Sequence, residues 1–484
     1  MACRMKNQAP SRNLTGGAEP HAGPQAVLSL RDAIALIIGV VIGAGIFKAP
    51  SMVAGITGSP EWMFAAWLLG GLVSLVGALC YAELSTAYSH AGGDYHFLHR
   101  AYGRSVSFLF AWARFSVITT GSIALLGFVF GDYMTQLLPL TAVSPAWSSA
   151  IYAMASIAIL SWVNLRGIHT SASAQTWLTL LEVLGLLIIV GAALYLLGAG
   201  HTVPTPAPVA AAEDGVINMP AAFGLAMVFV LLTYGGWNEA AYISAELKDG
   251  RHNMVKALVL SIVVITLLYL LVNWAYWIGL GMDGMRDSSA IAASLLSVAF
   301  GAYGEKIISL MVAIAALTSI NATMIVGART SYAAGRDWSV LSKLSKWDAK
   351  RGTPTNAMLI QCYAALLLVV IGTLTGGGFK AMVEFTAPVF WLFFLLAGLS
   401  LFVLRHKEPH TERPFKVPFY PLLPLIFNAT CLYMLWASLS YVYSQSLGGL
   451  NAAWIGVGVL AIGFILLMLV NRHPVHSPQS SVIE

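Results

Sequence analysis

Apolar runs of about twenty residues or more, the length a helix needs to cross a hydrocarbon core, recur along nearly the whole chain. They cover residues 31–56, 62–88, 105–137, 147–165, 173–198, 219–245, 255–281, 303–334, 355–373, 379–404, 418–443 and 450–471. Backbone in lipid has no water to bond with, so each run is restricted to a helix that satisfies its own amides. The expected fold class is therefore an all-α polytopic membrane protein with about twelve transmembrane helices. Composition agrees, since 58% of the 484 residues are hydrophobic and 10% charged, against roughly a quarter charged in a soluble protein.

Basic residues orient the runs. With the N-terminus in the cytosol, most Lys and Arg fall on that side, and only Arg286, Lys306 and Lys380 fall on the other. This asymmetry predicts an even number of crossings in the cell (inner) membrane, with both termini cytosolic. Residues 1–27 are polar and rich in Gly and Pro; they read as a disordered cytosolic tail without a cleavable signal, and 473–484 as a second cytosolic tail. The net charge of +5 thus reflects topology, and no basic, aromatic-interleaved patch points to nucleic acid. The 4 Cys (Cys3, Cys80, Cys362, Cys431) have neither metal spacing nor a disulfide framework. All 11 His lie in loops or tails, so the spans carry neither an HExxH site nor a His-activated nucleophile, which argues against a membrane-embedded enzyme. No repeated filter sequence supports a channel. No metal or cofactor is expected beyond a coupling ion, H+ or Na+.

Two runs are interrupted by glycine. The first reads "GVVIGAGIFKAP", with Gly43, Ala44 and Gly45 where a helix needs stronger formers. The sixth reads "LLTYGGWNEAAY", with Gly235 and Gly236 at the matching place if runs 1–5 and 6–10 are two copies. Glycines four apart, such as Gly39 and Gly43, also serve close helix packing, but packing does not require breaks at corresponding positions. Matched interruptions mark the substrate site of secondary transporters. Unwinding frees N–H and C=O groups that must face protein or a wet cavity. Free amides at a helix start suit a carboxylate and free carbonyls suit an ammonium, so the pair suits a zwitterion.

These motifs, with "TYGGWNEAAYISAELKD", "TSINATMIVGARTSYAAGRDW" and "ERPFKVPFYPLLP", resemble the amino acid–polyamine–organocation superfamily, in particular bacterial relatives of the L-type amino acid transporters, over about residues 28–472. The resemblance implies a LeuT-type fold with a 5+5 inverted repeat and discontinuous helices 1 and 6. The first repeat would span 28–200, an extracytoplasmic loop 201–218, the second repeat 219–404, and a cytosolic hairpin with helices 11 and 12 405–472. It implies amino acid transport by alternating access. The amides of Ala44 and Gly45 would bind the substrate carboxylate and the carbonyls of Val41, Leu232 and Gly235 its ammonium. Ile42, Gly43 and Gly236 belong to the same unwound segments, and Asn238 would line the pocket. Several L-type relatives carry an aromatic gate where this chain has Leu232, which points to small or medium neutral L-amino acids. Tyr234 and Trp237 are candidate walls, or packing residues.

Charges inside the runs suggest coupling. Glu182 lies about nine residues into its run, near mid-membrane at 1.5 Å per residue, where a carboxylate is a functional candidate by default. Resembling transporters typically carry a Lys there, and the change of sign argues against transferring their mechanism. Thr318 and Ser319 resemble the hydroxyl pair of a sodium site, and hard cations prefer oxygen ligands. The expectation is cation-coupled symport through Glu182, Thr318 and Ser319, proton preferred over sodium. The alternatives are helix–helix hydrogen bonding at these three residues, obligatory exchange, and carriage of polyamines or cationic amino acids. Glu239 either joins this network or pairs with Lys48. Glu83 and Glu246 near the cytosolic ends, where Arg329 and Arg336 emerge, are gate ion pairs or plain helix-end pairs. The loop "LPLTAVSPAWSS" has no Cys, so no disulfide-linked partner chain is expected. The chain would work as a monomer or homo-oligomer, with an amino acid and the bilayer as its partners.

Overall fold

The computed structural model describes residues 29–89, 93–167, 172–203, 219–238, 250–348, 351–444 and 452–472. Each of the twelve apolar runs carries helix. Run 1 is split into α1 (Leu30–Val41) and α2 (Ala49–Thr57) around a 3-10 turn at Ala44–Phe47, and α3 (Pro60–Ala87) follows. A short helix α4 (Gly93–Tyr102) leads into α5 (Arg104–Ala113), which continues through a π turn (Arg114–Ile118) into α6 (Thr119–Leu137). Then come α7 (Pro145–Leu165), α8 (Ala172–Gly198), α9 (Met219–Thr233), α10 (Gly250–Asp287) and α11 (Ile291–Asp337). The chain ends in α12 (Thr355–Leu374), α13 (Phe379–Lys407), α14 (Leu422–Ser444) and α15 (Ala452–Arg472). No strand occurs among the described residues, apart from an isolated bridge between Asp348 and Thr353.

Among the described residues nine helices are long and apolar enough to cross a membrane, and Ala222–Thr233 and Trp454–Leu469 are shorter apolar helices. The two glycine-broken runs supply no long helix because their helices stop at the breaks. α10 and α11 extend beyond their apolar runs through bends at Gly281 (φ 63°) and Gly301 (φ 66°), a backbone region that glycine enters without a Cβ penalty. Helix starts follow capping chemistry: Ser59 Oγ accepts from Trp62 N at 3.4 Å, and Pro60 opens α3, where its missing N–H costs nothing.

α11 packs along α6 and α8, while α10 packs along α3, α1 and α2. This arrangement puts both breaks inside the bundle. α8 shows how a span divides its faces. Leu180, Leu184 and Leu187 are exposed for lipid, whereas Glu182, Leu186 and Ile189 are buried. α4 and the α13–α14 hairpin, with Arg100, Arg405 and Arg413, gather at one end of the bundle, the basic end; the α2–α3 turn and the α10–α11 connection lie at the other.

Candidate functional site

α1 loses its register at Val41. Ile42 N still reaches Ile38 O at 2.8 Å, but Gly43 N turns back to Val41 O at 2.8 Å and Gly43 itself is extended (φ −105°, ψ −172°). The 3-10 turn then starts at Ala44, and its leading amides, those of Ala44 and Gly45, find no acceptor within their own turn. α9 stops at Thr233: Gly235 N bonds back to Leu232 O at 3.1 Å, and Gly236 adopts φ +111°. The two breaks touch. A Cβ on Gly236 would stand 3.0 Å from Val40 O, and one on Gly45 would stand 3.4 Å from Thr233 Cγ2. Tyr269 of α10 joins them from behind, its hydroxyl lying 3.0 Å from Val41 O and 3.2 Å from Thr233 O.

A cavity of about 440 Å3 opens at this contact. Val41, Gly43, Ala44, Gly45, Leu232, Gly235, Gly236 and Asn238 line it, and Glu182 and Ser319 reach the same space. Ser319 Oγ lies 3.9 Å from where a Gly43 Cβ would stand. Glu182 is 6% exposed and its carboxyl bonds to no described residue. Phe229, Phe379 and Val383 supply apolar wall, and Asp94 and Arg114 line the part toward the basic end.

Four sequence candidates sit elsewhere. Ile42 is buried at 0% exposure and outside the cavity wall. Tyr234 donates to Trp67 O at 3.0 Å, and Trp237 packs edge-on against Tyr81 and Phe427; neither is in the cavity wall. Thr318 Oγ1 bonds to Ile314 O (2.8 Å) and Ala315 O (2.9 Å) of its own helix and is not in the wall. Glu239 and Glu246 lie outside the described residues, as do both predicted tails and most of the 201–218 loop. Sequence reasoning missed Tyr269, although Tyr269, Asn273 and Tyr276 recur at i, i+4 and i+7 in run 7 and are all 0% exposed. That polar stripe was the available signal.

Comparison with known proteins decides the family. The amino acid permease family model matches residues 28–470. The chain belongs to the amino acid permease family. It is 28% identical to the b(0,+)-type amino acid transporter 1 of Mus musculus over 420 residues, covering 85% of this chain and 82% of that protein. It is 27% identical to the cystine/glutamate transporter of Homo sapiens over 422 residues (87% and 82% covered), and 28% identical to the large neutral amino acids transporter small subunit 2 of Homo sapiens over 460 residues (90% and 83%). The permease is thus a multi-pass membrane transport protein and not an enzyme.

Charge pairs tie helices together at both ends of the bundle, with partners the sequence did not suggest. Lys48, just past the first break, pairs with Asp132 of α6 (Nζ–Oδ2 2.7 Å), and it also donates to Ser289 O at 2.6 Å. Ser149 Oγ donates to the other Asp132 oxygen at 2.6 Å, and Tyr133 Oη donates to Phe47 O at 2.7 Å. Together they tie the turn at Ala44–Phe47 and the start of α2 to α6, α7 and the α10–α11 connection. At the basic end Glu83 takes a bidentate bond from Arg405 (2.7 and 2.6 Å) and another from Val417 N (2.7 Å), with Arg413 Nε at 3.7 Å. Glu83 therefore anchors the α13–α14 hairpin to α3, whereas Arg329 is exposed and does not pair with it. The hairpin folds back over α3 through tertiary contacts that charge spacing along the chain does not reveal.

Proposed function

We propose that the permease carries neutral L-amino acids of small to medium size across the cell membrane by alternating access, coupled to an inward cation, proton rather than sodium. One observation carries this reading: the two interrupted helices meet at a single cavity that also receives a carboxylate with no partner among the described residues. The amides of Ala44 and Gly45 take the substrate carboxylate, where a turn's unpaired N–H groups favour an anion. The carbonyls of Leu232 and Gly235, with that of Val41, take the ammonium, and Asn238 contacts the bound molecule. The side chain points into the wall of Leu232, Phe229 and Val383, which offers no charge to a basic or acidic group. A buried carboxylate needs a proton or a cation partner, and Glu182 gains one in the coupled step. With Thr318 turned into its own helix, Ser319 is the one member of the expected hydroxyl pair that lines the cavity with Glu182, so the pair that a sodium ion would use is incomplete. The names of the relatives, which include transporters of large neutral amino acids and of cystine and glutamate, agree with an amino acid substrate. Obligatory exchange is the competing coupling mode. The chain acts without a disulfide-linked partner, and both termini are cytosolic.

Uptake into proteoliposomes tests the reading. Saturable, stereoselective accumulation of a neutral amino acid, driven by an imposed proton gradient, is the expected result. Stabilisation by dicationic polyamines alone in a thermal-shift panel would sink the neutral-substrate assignment, and uptake that appears only with internal amino acid would replace symport by exchange.

A further inference from the structure

Tyr269 is 0% exposed, wedged against Tyr234 (5.0 Å between ring centroids) and Trp67 (5.7 Å). Its hydroxyl has one proton and lies within bonding distance of two carbonyls, one from each broken helix. The Val41 carbonyl already accepts from Gly43 N at 2.8 Å, so with Tyr269 both of its lone pairs are engaged. An ammonium arriving at this carbonyl must displace a donor. Gly43 N–H is fixed by the backbone turn, whereas the phenol can rotate to its second acceptor on Thr233. A hydroxyl offered two acceptors can release one without becoming an unsatisfied buried group, which is the costly outcome in such an interior.

We propose that the Tyr269 hydroxyl stands in for the substrate's ammonium at the Val41 carbonyl, donating to it until a primary α-ammonium takes that place and the phenol turns to Thr233 O. The proposal rests on the reading that these carbonyls receive the ammonium. It makes Tyr269 a positioning residue whose hydroxyl competes with the ligand's amine.

The test is binding of a neutral L-amino acid and of its 2-hydroxy acid analogue to purified wild type and Tyr269→Phe, with uptake and exchange measured in liposomes. Removing the competitor should tighten amino acid binding by roughly 2- to 10-fold, the size of one net hydrogen bond, and leave the hydroxy acid unchanged. Net uptake, which requires the empty carrier to return, should slow more than exchange. Weaker or unchanged amino acid binding by folded Tyr269→Phe overturns the proposal, as does an equal gain for the hydroxy acid. No amino acid binding by the wild type would instead remove the proposed function. If Tyr269→Phe does not fold, density maps of the wild type with and without amino acid decide. The Tyr269 hydroxyl should leave Val41 O on binding, and a contact kept at its present distance refutes the stand-in role.

Discussion

The Lys48–Asp132 pair allows a direct test of whether an ion pair holds one end of the permease shut. The two side chains are 7% and 17% exposed, so neither charge has much water to fall back on. Removing one partner of a buried pair costs about 3–5 kcal/mol because the other charge is stranded. Asp132 is partly wet and keeps Ser149 at 2.6 Å, which lowers the expectation to about 2–3 kcal/mol for Lys48→Met. If the pair exists only when the outer end is shut, this shifts closure toward opening by roughly 30- to 150-fold, at a factor of ten per 1.4 kcal/mol. Ala49, the next residue, is 1% exposed, and Ala49→Cys in a Cys3→Ser background reports opening through its rate of modification by a membrane-impermeant maleimide. The remaining cysteines Cys80, Cys362 and Cys431 are buried. Lys48→Met and Asp132→Asn should each accelerate labelling by that factor, and the double variant should return toward the parent rate because it strands no charge. Singles that label at the parent rate, or a double variant equal to the product of the singles, would refute the idea that this pair holds the outer end shut.

Three further outcomes are expected. Glu182→Gln should abolish the pH or ion dependence of uptake while substrate exchange remains measurable; an unchanged ion dependence removes Glu182 from coupling. Gly236→Ala places a Cβ at φ +111° and 3.0 Å from Val40 O, a strain of about 1–3 kcal/mol, so amino acid affinity should fall by roughly 5- to 140-fold, as read by thermal shift. Glu83→Gln leaves the Arg405 guanidinium, 20% exposed, without its carboxylate. It should lower the unfolding temperature, by about 3 kcal/mol of stability, while the ion dependence of the surviving transport stays as in the parent.

The parts of this molecule that were legible in its sequence are those set by local chemistry. Lipid forces every apolar run to be a helix, so the order and approximate ends of the runs could be read directly. Glycine pairs weaken a helix wherever they occur, so the breaks at 43–45 and 235–236 could be placed as well. Contact between the breaks needed a further assumption, that the runs form two matching sets. Burial of particular groups was not local at all. Tyr234 and Trp237 flank the second break in sequence, yet both sit in aromatic packing and neither lines the cavity. Lys48 lies 84 residues from Asp132, and Glu83 lies 322 from Arg405. Charge type narrows such pairings without choosing among them. One constraint could have narrowed them further. A lysine near one end of a span favours a carboxylate at the same depth on a neighbouring helix, because an isolated charge there is far costlier than a paired one. Run 3 travels opposite to run 2, so Asp132, close to its far end, returns to the level of Lys48. Depth matching therefore favours Asp132 as the partner of Lys48. Applied to hydroxyls, the same argument draws attention to run 7. Tyr269 lies about midway along it, at the depth where two neighbouring spans leave carbonyls without their helical partners, and a buried phenol needs an acceptor there as much as those carbonyls need a donor.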